Sequence, residues 1–121
     1  MNEKRFNEIE NIAVNYLMNT IGEISSGLRT VRQPSDLDAF VPNAIERLKE
    51  GLRKLHETKL TKFENRYFNS HKLAEVFRVY IKALTALQMS DYNRSSALLD
   101  EGGKQLDDYR ALLRSAGKGR S

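Results

Sequence analysis

Two histidines, His56 and His71, are the natural place to look for chemistry, because imidazole is the side chain whose charge changes near neutral pH. His56 stands between Leu55 and Glu57 beside an apolar stripe, the position of a boundary residue of intermediate burial. His71 stands four residues before Glu75, a spacing that puts both on one helical face, where they can orient a proton or hold a metal ion. A zinc or di-iron centre takes at least three or four such ligands. No His-Glu-x-x-His pattern, His-x-x-x-His pair or Glu-x-x-His motif supplies the others. The chain has no cysteine, which removes disulfides, thiolate nucleophiles and Cys-based zinc sites. The carboxylate pairs Asp100-Glu101 and Asp107-Asp108 are adjacent in sequence, so their members point to different sides of a helix. Gly102-Gly103 has no strand before it and reads as close packing or a kink, not a phosphate loop. No spacing nominates a base for a serine nucleophile. Catalytic residues, metal and cofactor are accordingly not expected.

Charge is the second candidate for function. The net charge is +4, but it is uneven: residues 41–82 carry 10 basic and 5 acidic side chains, whereas residues 1–40 carry 4 and 6. Arg47, Lys49, Arg53, Lys54, Lys59, Lys62 and Arg66 place a basic helix in that second segment, and such a helix can neutralise phosphates. Glu50, Glu57 and Glu64 recur every seven residues among them, with Glu50 four before Lys54 in the favoured order for a helical ion pair. The face is mixed in sign, so weak binding of nucleic acid is expected.

Two short resemblances accompany these readings. His71-Lys72-Leu73 resembles the His-x-Leu opening of histidine phosphotransfer domains, which implies a four-helix bundle with an exposed histidine, here His71, carrying a phosphoryl group. The family pattern continues Lys-Gly, whereas this chain has Ala74-Glu75. That change removes the basic neighbour and the small residue and places a carboxylate near the phosphate. The spacing of Ala83, Leu84, Asp91-Tyr92, Ser95, Leu99 and Gly102 is similar to one tetratricopeptide hairpin, which implies two antiparallel helices packed through small residues. It covers about a third of the chain, and a stable array takes at least three repeats.

The elements that must position these residues follow from apolar periodicity. Phe6, Ile9, Ala13, Tyr16, Leu17, Ile21, Ile24 and Leu28 recur at steps of three and four and predict a first helix over about 4–29, weakened near its end by Gly22 and Gly27. Pro34 and Pro42 break the chain after it. Leu37, Phe40 and Val41 are too apolar for a solvated connector, so Ser35–Phe40 is expected to form a short turn that plugs one end of a bundle. Asn43, with Glu46 three residues on, predicts the cap of a second helix over about 43–68. Asn69-Ser70 offers a stop and a new cap, and Leu73, Val76, Phe77, Tyr80, Ile81, Leu84 and Leu87 mark a third helix. Asp91 is the expected cap of a fourth, with Gly117 ending it and residues 118–121 forming a frayed basic tail.

At 121 residues this is the length of one domain, and 40% hydrophobic residues suffice for a core without disulfides. The fold class expected is all-α: one antiparallel four-helix bundle over residues 1–117 with a Pro-containing connector between helices one and two. No apolar run approaches the roughly 20 residues that span a bilayer, and Met1-Asn2-Glu3-Lys4-Arg5 lacks the apolar segment of a signal peptide. A cytoplasmic location is expected, or an extracytoplasmic one if a leader has been removed. The function expected is that of a non-enzymatic interaction or regulatory module with a protein partner. The alternatives are a nucleic-acid-associated protein using the basic helix, a phosphotransfer protein using His71, and a secreted or surface-attached domain. The candidate contact residues are Arg47, Arg53, Lys54, Lys59, Lys62 and Arg66, together with Phe40 in the connector and Gly102. Gly102 is expected to meet Ala83 on the third helix.

Overall fold

The computed structural model describes residues 3–68 and 70–118, which are helical apart from short turns, with no strand among them. Asn69 of the expected stop and residues 119–121 of the expected tail lie outside the described residues, as do the side chains of Phe6, Glu64 and Leu113. Among the described residues, no helix is long and apolar enough to cross a membrane.

The first helical rod comprises α1 (Glu3–Ile12), a π-helical stretch (Ala13–Met18) and α2 (Asn19–Thr30). Its buried residues are Ile9, Ile12, Leu17, Thr20 and Ile24. The step of five from Ile12 to Leu17 is the wide turn: the Asn19 N–H bonds the carbonyl of Val14, five residues back, and one extra residue is fitted into the turn. Without it the stripe would drift off the core. Thr20 is tolerated there because its hydroxyl donates to the Tyr16 carbonyl at 2.7 Å.

The connector is a 3-10 turn, Pro34–Ala39. Its Asp36 carboxylate accepts hydrogen bonds from the backbone N–H of Arg32 (2.9 Å) and Gln33 (3.2 Å). These bonds, that from Arg32 foremost, hold the Asp36 carboxyl below the usual carboxylate range. Leu37 and Val41 are buried, and Phe40 is half-buried. The Phe40 ring occupies the space above Gly27, where a Cβ would come within 2.8 Å of it. The expected short turn is present, and its apolar residues join the core.

The second predicted helix needs correction at both ends. Helix α3 runs Val41–Glu57, so Asn43 lies inside its first turn and does not cap it. Phe40 precedes the helix, and the Ala44 N–H bonds the Phe40 carbonyl at 3.0 Å. Pro42 is accommodated because a first-turn residue needs no N–H partner. The helix stops at Thr58, whose N–H and hydroxyl both fold back onto the Lys54 carbonyl (3.1 and 2.7 Å), and Lys59 follows with φ 50. A separate helix, α4 (Lys62–Phe68), starts after Thr61.

Helices α5 (Ser70–Gln88) and α6 (Tyr92–Lys118) make the most extensive contact in the molecule. The turn between them is a left-handed cap at Ser90 (φ 60), with the Asp91 N–H on the Ala86 carbonyl (2.9 Å) and the Ser90 N–H on Leu87 (3.1 Å). Asp91 caps α6 as expected: its carbonyl accepts from the Ser95 N–H (2.9 Å), and its carboxylate from the Arg94 N–H (3.3 Å). Further along, Ser95 faces Ala83 and Gly102 faces Tyr80, so the pair is antiparallel. Gly117, expected to end the helix, lies within it.

The core gathers Leu17, Ile24, Leu48, Leu55, Leu73, Phe77, Leu84 and Tyr109. Helix α3 contacts both the first rod and α5. The helices approach closely at Gly51, where a Cβ would stand 2.4 Å from Tyr16 Cβ and 2.7 Å from the Phe77 ring.

Candidate interaction surface

The basic residues fall into two groups that the sequence did not separate. Arg47, Arg53 and Lys54 lie on α3 and are already engaged. Arg47 reaches the first rod, pairs with Glu23 and donates through Nη2 to the Asn15 carbonyl at 2.9 Å. In an α-helix that carbonyl would receive the Asn19 N–H; the π turn sends Asn19 to Val14, and Arg47 donates to the Asn15 carbonyl. Arg53 pairs with Glu50 on one side and Glu57 on the other. Its bond to Glu50, then that to Glu57, holds Arg53 protonated beyond its ordinary range, and Arg53 in turn lowers the Glu50 carboxyl. Lys54 lies 3.9 Å from Glu50 and 5.8 Å from the centre of the Tyr16 ring.

Lys59 stands in the break after α3, while Lys62 and Arg66 are exposed on α4. The six basic residues therefore do not share one helix face. Phe40 is packed against the core, and Gly102 is buried. The partner of Gly102 is not Ala83: a Cβ there would lie 2.8 Å from the Tyr80 ring, so glycine makes room for an aromatic side chain. Ala83 is met by Ser95, whose hydroxyl donates to the Ala83 carbonyl at 2.9 Å.

Two depressions adjoin on this side of the molecule. The first is an open, mostly apolar hollow on the outward face of α3, lined by Lys49, Leu52, Arg53, His56, Glu57 and Lys59. Four of these fall at positions i, i+3, i+4 and i+7, which makes one helical face. Half-buried Leu52 lies within this face, flanked by aliphatic stems of the long side chains. The second is a cleft of about 250 Å³ between the end of α3, α4 and α5, lined by Leu55, Leu60 and Ala74 with His56, Lys59, Asn65, His71 and Arg78. His56 and Lys59 belong to both. The two histidines, 15 residues apart and unconnected by any motif, thus line one cleft.

Sequence reasoning missed the Arg47 bridge, the π turn and the meeting of the histidines. Only the break in the second helix left a local signal. Thr58 and Thr61 bracket it, and Thr61-x-x-Glu64 is itself a capping pattern. Among the described residues, no three His, Asp or Glu side chains gather as a metal site. In comparisons with known proteins, no family model, curated protein or solved structure matches the chain.

Proposed function

We propose that this chain is a non-enzymatic helical interaction module, built as an antiparallel four-helix bundle with α4 as a short appendage. Its α3 hollow takes an acidic amphipathic segment of a partner protein. The observation that carries this reading is the internal neutralisation of α3: Arg47 and Arg53 are both engaged by carboxylates and Lys54 lies 3.9 Å from Glu50, while Lys49 and His56 rim an apolar hollow floored by Leu52. A polyphosphate ligand would meet Glu50 and Glu57 beside Arg53, and Glu23 beside Arg47. An amphipathic helix instead lays apolar side chains on Leu52 and places its carboxylates at the rim, which is the helix-in-groove mode.

The test is a heteronuclear NMR titration with an acidic amphipathic helical peptide of about 20 residues built from Leu and Glu, run beside its Lys-for-Glu counterpart and a DNA duplex. Shifts centred on Leu52, with at least tenfold weaker binding for Lys49→Glu/Lys59→Glu, support the reading. Shifts with DNA alone transfer the surface to the nucleic-acid alternative. Binding of neither, or equal binding of both peptides, refutes it.

A further inference from the structure

The α3 hollow has a counterpart of opposite sign on the same chain. Helix α6 is packed along α5, with a smaller contact to α4. Its buried line runs through Ser95, Gly102 and Tyr109. Beside that line, Leu98, Glu101, Gln105, Asp108 and Leu112 recur at steps of three and four and make one flank of the helix. Leu98 is half-buried, Leu112 is an exposed large apolar residue, and the two carboxylates between them are exposed. Glu101 accepts from the Gln105 amide at 3.1 Å, and among the described residues neither Glu101 nor Asp108 has an ion-pair partner. Residues 83–110 carry 3 basic and 5 acidic side chains, against 10 and 5 over residues 41–82, so the charge changes sign from one surface to the other. On α3, Lys49 is exposed at the rim of the hollow and has no ion-pair partner among the described residues, whereas Arg53 beside it is held by Glu50 and Glu57. No described residue of α6 lines the hollow, so within one chain the two surfaces stay apart.

We infer that the acidic amphipathic segment taken by the α3 hollow is the α6 flank of a second copy of this chain. The inference rests on the reading of the hollow given above and names its occupant. The two surfaces match in spacing as well as in sign. Leu112 has Asp108 one helical turn before it, and Leu52 has Lys49 one turn before it, so seating Leu112 on Leu52 brings the free carboxylate to the free ammonium. Glu101, two turns further from Leu112, adds a second carboxylate on the same flank. Opposite charge steers the two surfaces together and sets their register, while the apolar contact removes Leu112 from water. A single helix flank on an open hollow falls at the small end of protein interfaces, so the association is weak and reversible. Because the contact joins two different patches, it adds copies head to tail unless two chains engage reciprocally about a two-fold axis.

The experiment is sedimentation equilibrium of the whole chain from about 1 µM to about 1 mM, at low and at physiological salt. The average mass should rise with concentration above that of one chain, and less steeply in the higher salt. Lys49→Glu and Glu101→Lys/Asp108→Lys should each weaken self-association by about tenfold or more. Mixing these two variants should restore it, because the native flank of the first meets the native hollow of the second. A chain that stays monomeric throughout, an association indifferent to both variants, or two weakened variants that do not recover on mixing overturns the inference. If the chain is monomeric while the acidic Leu/Glu peptide still binds at Leu52, this inference alone fails. If the peptide does not bind either, the reading of the hollow fails with it. The substituted side chains are all exposed, and circular dichroism checks that each variant is folded.

Discussion

Replacing Gly51 by alanine tests the packing on which both depressions depend. A single methyl at this mid-helix position carries two opposed effects. Helix propensity favours alanine over glycine by about 1 kcal/mol. Against it, the new Cβ would stand 2.4 Å from Tyr16 Cβ and 2.7 Å from the Phe77 ring, where carbon contacts settle near 3.5–4.0 Å. Tyr16 Cβ is bonded directly to the π-helical backbone and cannot swing aside, and Phe77 is fully buried. Relief therefore requires α3 to move from the first rod by more than about an ångström, which overpacking measurements place at roughly 1–3 kcal/mol or above. Gly22→Ala is the matched control, because no atom lies within 4 Å of its would-be Cβ. It should stabilise by up to about 1 kcal/mol. The propensity gain is common to both variants, so urea denaturation should separate them by the overpacking cost alone, about 1–3 kcal/mol or more, with Gly51→Ala the less stable. A Gly51→Ala protein as stable as Gly22→Ala would falsify the close approach of α3 to Tyr16, and with it the placement of Arg47 on the Asn15 carbonyl.

Phe40→Ala should lower stability by about 1–3 kcal/mol in the same assay, since its ring covers Gly27 and borders the core; unchanged stability with loss of peptide binding would make Phe40 a recognition residue instead. Asp36 has a lowered folded pKa, so its contribution is complete above about pH 4 and is lost as the pH falls through and below the carboxylate range. Asp36→Asn should therefore lower stability at pH 7 and approach the native protein near pH 2; a constant difference across that range would show that the turn does not depend on the carboxylate charge.

What could be read from the sequence was what depends on near neighbours in the chain. The stripe of α5, the Asp91 cap and the apolar connector are each decided by residues within a turn or two, and each appears where periodicity and capping chemistry put it. The failures are of another kind. Pro42 looks like a breaker only if its lost N–H matters, and in the first turn it does not. The stretch 58–61 continues an apolar pattern through Leu60, yet Thr58 takes the Lys54 carbonyl with both its donors and Lys59 turns left-handed. Those local capping bonds decide that contest, and apolar periodicity does not register them.

The charge pattern shows the same division and bears directly on function. Glu50, Arg53 and Glu57 form local pairs at spacings of three and four, so their mutual neutralisation was legible. Arg47 was not, because its partners lie 24 and 32 residues away and one of them is a carbonyl freed by the π turn. A formal count of basic residues treats Arg47 and Lys49 as equivalent contributors to a binding face. The fold makes the first a tie between α3 and the first rod and leaves the second on the rim of an open hollow. The two histidines move in the opposite direction, from unrelated residues to neighbours around one cleft, because the break at Lys59 and the start of α5 bring the end of one helix against the beginning of another. The surface proposed for binding is thus set less by how many charges the chain carries than by which of them the helix junctions have already used.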